Sequence, residues 1–320
     1  MKLLKKTLLL SITALSLALP LVGAVPKTAD DLTAEQEKEY MAYYQKPYIS
    51  ISNLKYFIEG YPDVKFEKKW DGEVGDWIIK ITPSFTGETT ELYWCDGRLL
   101  PKSELENEDK YWSLFTYYPK EIRDPLTFTE TERNLIHDFG KVSNRSKAKL
   151  TPVFFFNAIY DTETRRSTES HIVTVPFLDK YTNTHEAIVP ALRRVETKLL
   201  EEAKTDKELN KFIHTFRSCD SYAWRDIEAT EIRSLHSLGI AVDFLPKSNN
   251  KHLFWGWARD RFPSDWMDVR LQFRWIPPQK FIDIFESEGF VWGGKWVIWD
   301  NMHFEYRPEQ IAYNKDYNWE

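Results

Sequence analysis

The chain has 320 residues, with 43 Lys and Arg against 49 Asp and Glu and a net charge of −6. A hydrophobic content of 42% excludes a disordered or low-complexity protein, and the acidic balance argues against a nucleic-acid partner, since phosphate binding requires a basic surface. Aromatic residues reach 15%, which fits either a large core or a surface that stacks on sugars or peptides.

Residues 1–24 have the pattern of a secretory signal peptide. Three lysines precede an apolar run of 14 residues from Leu8 to Leu21, and a small residue, Ala24, precedes the expected cleavage point. The run is shorter than the roughly 20 residues that span a bilayer, although a retained anchor is the alternative. We therefore expect a periplasmic or extracellular protein without a stable membrane anchor. Removing the peptide takes away three lysines and no acids, which changes the net charge from −6 to −9.

The first half of the chain predicts mixed secondary structure. A polar helix is expected over Thr33–Tyr44, and alternating residues predict a β-rich stretch over 64–98. Acidic residues in the first turn favour a helix from Thr129 to Phe139. The apolar run Val153–Phe156 fits a buried strand or a buried helix.

The second half begins with the strongest helical pattern, an apolar stripe over residues 186–204. A second helix is predicted by a proline near its first turn and a glycine just after its end, over Pro277–Glu288. Strands are expected at Phe212–Phe216, Gly239–Phe244, Trp296–Trp299 and His303–Tyr306.

Two cysteines, Cys95 and Cys219, lie far apart in the sequence. An exported protein can form a disulfide between them, and two buried free thiols are the alternative. Neither cysteine has the spacing of a metal site.

Three residues of the C-terminal third are candidate zinc ligands. His236 and Asp243 are separated by Gly239, which allows a turn that brings the histidine back toward the strand carrying the aspartate. His303, from another strand, supplies a third ligand, and catalytic zinc is held by about three protein ligands. A single histidine more often has a structural role, so the hypothesis depends on the three residues together.

Two further residues are expected to perform the chemistry. Asp300 lies three residues before His303 and is the candidate general base and acid, with Glu305 as the second choice. Arg225 is the candidate for stabilising an oxyanion, and Arg217 and Arg233 are its rivals.

Taken together, these motifs resemble the M15 metallopeptidases, the family of D-alanyl-D-alanine carboxypeptidases and L-alanyl-D-glutamate endopeptidases. The resemblance rests on Ser-x-His-x-x-Gly-x-Ala-x-Asp at residues 234–243, a Trp-Gly-Gly stretch at 292–294, and Asp-x-x-His at 300–303. It implies His236, Asp243 and His303 as zinc ligands and an α+β fold with a central antiparallel sheet flanked by helices, like that of Hedgehog and DD-peptidases.

The resemblance also implies Asp300 as general base and acid and Arg225 as the transition-state arginine. Carboxypeptidase members often have Glu at the position of Asp300, so this chain is nearer to the endopeptidase branch. Seven tryptophans lie between the second and third proposed ligands, and five of them cluster near the motifs, where they either form core or line a cleft: Trp255, Trp257, Trp292, Trp296 and Trp299. Trp292 and Trp296 are the candidate substrate contacts.

We therefore expect an M15-like peptidase domain over residues 119–320, with its active-site core at 186–310, preceded by an α+β region at 25–118 of unknown role. The expected activity is zinc-dependent hydrolysis of a peptide bond in peptidoglycan, of the endopeptidase type. A D-alanyl-D-alanine carboxypeptidase or dipeptidase is one alternative, and a non-catalytic, metal-stabilised cell-wall-binding protein is another.

Overall fold

The computed structural model describes residues 49–145, 147–227, 232–248, 250–263 and 266–317. The expected signal peptide at 1–24 and the expected helix at Thr33–Tyr44 lie outside these residues. Among the helices described, none is both long enough and apolar enough to cross a membrane.

The N-terminal part consists of a short helix and an antiparallel sheet. Helix α1 (Leu54–Gly60) precedes strands β1 (Val64–Asp71), β2 (Asp76–Pro83) and β3 (Thr90–Tyr93), which pair in that order. The β-rich prediction for 64–98 is confirmed. Alternation explains the sheet, because the alternate residues Ile79 and Ile81 of the central strand β2 are fully buried.

Four helices follow, and the first confirms its prediction: α2 (Glu130–Gly140), α3 (Val142–Arg145), α4 (Phe154–Tyr160) and α5 (Arg165–Ser170). Helix α2 begins with a capping box, in which the Thr129 and Glu132 side chains each accept a hydrogen bond from the other residue's backbone N–H. The ambiguous run at 153–156 forms the start of helix α4.

The next segment contains a hairpin, β4 (Ile172–Phe177) and β5 (Lys180–His185), followed by α6 (Val189–Glu202), α7 (Lys207–Ile213) and β6 (Phe216–Asp220). Leu192, Val195 and Leu199 of the apolar stripe are buried on α6, as its periodicity predicts, whereas Leu200 is exposed. The strand expected at Phe212–Phe216 is wrong except at Phe216, where β6 begins. Asp206 caps a helix by accepting a hydrogen bond from the Leu209 N–H at 2.9 Å, and this helix continues to Ile213.

The last part carries a four-stranded antiparallel sheet with the order β6-β7-β9-β8. Its other elements are β7 (Ala241–Pro246), α8 (Trp255–Arg261), α9 (Gln279–Ser287), β8 (Phe290–Trp292), β9 (His303–Tyr306) and α10 (Pro308–Asp316). The strands predicted near 239–244 and at 303–306 and the helix near 277–288 are confirmed. The strand predicted at Trp296–Trp299 is wrong, because a turn at Gly293–Lys295 leads into irregular chain there.

All three sheets of the described residues are antiparallel and are accompanied by helices, an arrangement compatible with the expected α+β class. The boundary at residue 118 stays a prediction, but the main buried core continues across it. Phe57 and Ile79 on the N-terminal side belong to the same cluster as Phe281 and Phe304 of the C-terminal part.

Helices α1 and α10 approach closely at Gly60. A Cβ atom on Gly60 would lie 2.7 Å from the Glu309 backbone nitrogen and 2.9 Å from the Pro308 carbonyl carbon. Because these neighbours are backbone atoms, a side chain at residue 60 would force the two helices apart.

We expect Gly60→Ala to lower the free energy of unfolding by roughly 1–3 kcal/mol, the usual cost of overpacking. Gly72→Ala is the matched control, since its Cβ would meet only the Trp70 Nε1 atom at 3.9 Å. Chemical denaturation of both variants measures the difference. Equal stabilities would show that the two helices do not pack this closely.

Candidate metal centre

Strand pairing brings two of the predicted ligands together. Asp243 on β7 lies directly opposite His303 on β9, so their side chains point to the same face of the sheet. The Asp243 Oδ1 atom is 2.8 Å from the His303 Nδ1 atom. Both strands lie in the interior of the sheet, which fixes their register.

The third predicted ligand, His236, is carried by a short 3₁₀ helix, Leu235–Leu238, that precedes β7. The helix ends at Gly239, whose φ of +70° is readily adopted only by glycine, and a Cβ there would lie 2.8 Å from the His185 nitrogen. The predicted turn at Gly239 is therefore present. It places the His236 Nε2 atom 3.1 Å from Asp243 Oδ1 and 3.1 Å from His303 Nδ1.

This donor set fits a metal ion. One ligand atom from each of His236, Asp243 and His303 lies within 4.8 Å of the others. The second nitrogen of each imidazole already has an oxygen partner: His236 Nδ1 lies 2.5 Å from the Ser221 carbonyl oxygen, and His303 Nε2 lies 3.0 Å from Glu305 Oε1. Such contacts orient metal-binding histidines, and two imidazoles with one carboxylate suit Zn²⁺.

The charges at this point favour a cation. Burial opposes ionisation of Asp243, but the two neighbouring histidines hold its pKa far below the usual range. Burial also opposes a charged His303, yet the carboxylates of Asp243 and Glu305 raise the pKa of this histidine well above its usual value. Two carboxylates beside two imidazoles thus require positive charge here, which a proton or a divalent cation supplies.

Asp300 is buried beside this centre. Its Oδ1 atom has no hydrogen-bond partner among the described residues. Burial raises the pKa of Asp300 to about 7 and the charge of Asp243 acts in the same direction, while His303 and Arg225 lower it. A carboxyl group with a pKa near neutrality can both accept and donate a proton, which is the property that a general acid and base requires.

Glu305 points to the same face as His303, as expected for residues two apart on a strand. Its carboxylate is engaged: Oε1 contacts His303, and Oε2 lies 3.9 Å from the Arg307 guanidinium. This position makes Glu305 an orienting partner of His303, whereas the sequence suggested a second-choice base.

Arg307 extends the polar contacts of His303 and Glu305 to the N-terminal part. It donates to Glu309 at 2.5 Å and to the Leu114 carbonyl oxygen, and Glu309 accepts a hydrogen bond from the Tyr61 hydroxyl at 2.8 Å. Residues 61 and 114 therefore stabilise the strand that presents His303.

A cavity of about 610 Å³ opens onto the centre. Its wall includes the three candidate ligands together with Arg225, Asp300 and Trp296. Arg225 is exposed, and its charge acts on Asp300.

The two rivals of Arg225 are placed differently. Arg233 also lines the cavity, but it donates hydrogen bonds to Ser237 Oγ at 3.1 Å and to the Thr162 carbonyl oxygen, and it stacks on Trp224. Arg217, on β6, is not among the described residues of the cavity wall.

The tryptophans divide between core and cavity. Trp292, a candidate substrate contact, has an exposed fraction of 0% and donates from Nε1 to the Asn301 carbonyl oxygen at 2.8 Å. The structure therefore does not support a substrate contact at Trp292, because β8 directs it into the core. Trp296 lines the cavity, with its ring centre 5.4 Å from that of His303. Trp299 is buried, whereas Trp255 contributes to the cavity wall.

Cys95 and Cys219 are both buried, free thiols. The disulfide alternative is therefore absent from the structure. Burial raises the pKa of each thiol, that of Cys219 to about 12.

Two features of the site have no clear signal in the sequence. The Ser221 carbonyl oxygen, which fixes the tautomer of His236, is a backbone group that every residue possesses. Arg259 belongs to the cavity wall and has only a weak signal, its i,i+4 spacing from Trp255 on a helix.

Because Glu305 orients His303, we expect Glu305→Gln to weaken zinc binding about 10- to 100-fold. Competition with a chromogenic chelator measures this affinity. The control is Glu288→Gln, which removes a carboxylate paired with Arg194 and Lys198 away from the cavity. Unchanged zinc affinity in Glu305→Gln would exclude the orienting role.

Comparison with known proteins agrees with this geometry. A family model described as D-alanyl-D-alanine carboxypeptidase matches residues 228–306, which include His236, Asp243, Asp300 and His303. Arg225 lies just outside that match. A second model, described as Domain of unknown function (DUF8518), matches residues 53–116. No curated protein and no solved structure matches the chain. The first match supports membership of the M15 peptidase family.

Proposed function

We propose that this protein is an exported zinc peptidase that hydrolyses a peptide bond in peptidoglycan stem peptides, as an endopeptidase with a DD-peptidase-like fold. One observation carries the proposal: His236, Asp243 and His303 converge next to a buried acid, Asp300, in a single cavity. The leader-like pattern of residues 1–24 supports export, because peptidoglycan lies outside the cytoplasm.

His236, Asp243 and His303 would hold the metal. When bound, zinc would polarise the scissile carbonyl group and lower the pKa of a water molecule. The oxygen partners of the two imidazoles, Ser221 and Glu305, keep the ligand atoms of these histidines directed at the centre.

Asp300 moves the proton. Its carboxylate accepts a proton from the attacking water and then transfers it to the nitrogen of the leaving amine. A pKa of about 7 suits both steps, because neither protonation state is strongly favoured at neutral pH.

Arg225 and Trp296 act on the substrate. The guanidinium of Arg225 lies on the same cavity wall as Asp300 and would stabilise the oxyanion that forms on the attacked carbonyl. Trp296, adjacent to His303, offers an apolar surface for the substrate chain.

A D-alanyl-D-alanine carboxypeptidase is the second candidate, favoured by the description of the matching family model. The two activities differ in their products. Mass spectrometry of fragments released from purified peptidoglycan separates them, and free D-alanine as the sole product would exclude the endopeptidase.

Asp300→Asn should lower kcat by about 10²- to 10⁴-fold while zinc binding persists, because the amide cannot accept the proton. Asp283→Asn, on the exposed side of α9, is the control. Zinc content and hydrolysis are measured on the same preparations. Full activity in Asp300→Asn would exclude this mechanism, whereas zinc loss would assign Asp300 to metal binding.

His303→Ala should abolish both stoichiometric zinc binding and hydrolysis, because it removes one of three ligands. Metal analysis after zinc loading and dialysis tests the first effect. An active His303→Ala protein would contradict the assignment of the centre.

Arg225→Gln should lower kcat by about 10²- to 10³-fold with little change in KM, if the guanidinium acts only on the oxyanion. Arg217→Gln removes an arginine outside the cavity and should leave kcat unchanged. The opposite result would make Arg217 the catalytic arginine.

A further inference from the structure

The cavity has a charge opposite to that of the chain. Its described wall carries eight Arg and Lys side chains against four carboxylates, although the whole chain has a net charge of −6. Asp243 and Glu305 are committed to the histidines of the metal centre, and three of the cations form ion pairs: Arg123 with Glu132, Lys295 with Glu286, and Arg307 with Glu309. The other five arginines of the wall still outnumber the one other carboxylate, Asp300, so the cavity attracts anions.

Helix α8 places part of this positive charge beside the reacting groups. The residue before it, Phe254, forms a backbone bridge with Asp300, and the Trp255 N–H donates to the Trp299 carbonyl oxygen at 3.0 Å. Trp255 and Arg259, one turn apart on α8, both line the cavity. The axial rise between them is about 6 Å, a distance that extended peptide covers in about two residues.

Two guanidinium groups each contact the Trp255 ring. The Cζ atom of Arg259 lies 4.9 Å from the centre of the Trp255 ring, and the Cζ atom of Arg145 lies 4.8 Å from it. The indole holds both cations in place, and Ile136 and Phe128 pack in the same apolar cluster as Trp255.

The acid next to Arg259 does not neutralise this arrangement. Asp260 contacts the Arg259 guanidinium at 3.1 Å, but its side chain is 68% exposed. An ion pair with such an exposed group is weak, because water and salt screen it. A carboxylate that enters the cavity can therefore compete with Asp260 for the Arg259 guanidinium.

We propose that Arg259, stacked on Trp255, forms a subsite for an internal carboxylate of the peptide substrate, within a few residues of the cleaved bond. The subsite deepens the proposed function and rests on it, since it assigns an anionic peptide as the substrate of the same cavity. Arginine suits this task because its planar guanidinium binds a carboxylate through two parallel hydrogen bonds.

Two synthetic stem pentapeptides test this subsite. Both have the same C terminus, and they differ only in whether the internal glutamyl carboxylate is free or amidated. We expect the zinc-loaded protein to show a KM about tenfold lower for the free acid, with similar kcat values, as a single charged hydrogen-bonded contact implies. Raising the ionic strength should reduce this preference.

The variants separate this role from a general structural one. Arg259→Gln should remove the preference for the free acid, and Arg259→Lys should restore part of it. The matched control is Arg261→Gln, on the same helix but stacked on Phe262 and outside the described cavity wall. This control should keep the full preference.

The outcomes distinguish the subsite from the activity. If neither peptide is hydrolysed, the proposed function fails, and equilibrium binding of the same two peptides, followed by tryptophan fluorescence, still tests the subsite. Equal affinity for both peptides would overturn the subsite. A preference for the free acid that survives in Arg259→Gln would overturn it as well.

Discussion

The candidate centre depends on one register, the pairing of β7 with β9 that sets Asp243 opposite His303. Side chains alternate along a strand, so a shift by one residue would turn either ligand to the other face of the sheet. The outer strands β6 and β8 flank this pair and hold it in the interior. The turn at Gly239 brings His236 close to these two residues and completes the set of three candidate ligands.

The same alternation extends the centre toward the N-terminal part. His303 and Glu305 share one face of β9, and Arg307, just after the strand, links Glu305 to Glu309 and to the Leu114 carbonyl oxygen. The sequence alone does not predict a role for residues 25–118. Part of this region supports strand β9, which carries the candidate metal ligand His303.

The sequence predicts most of the candidate site because metal chemistry restricts the residue types and Gly239 restricts the backbone. It predicts the long helices because apolar periodicity is a local property. Short segments such as Phe212–Phe216 fit a helix or a strand equally well. Here Asp206 caps helix α7, which continues to Ile213. Trp292 enters the core and Trp296 lines the cavity because of the turn at Gly293–Lys295, and the Gly293-Gly294 pair alone does not specify the direction of this turn.

Phe57 of the N-terminal part and Phe304 of the C-terminal part belong to one buried cluster, so the two parts depend on each other for their packing. The segments matched by two separate family models share buried surface, so neither encloses a complete interior of its own. A protein that lacked residues 53–116 would lose Phe57, Ile79 and Ile81 from this cluster and would expose the apolar residues that pack around them. Because they share one buried cluster, we expect the two segments to unfold together as one cooperative unit.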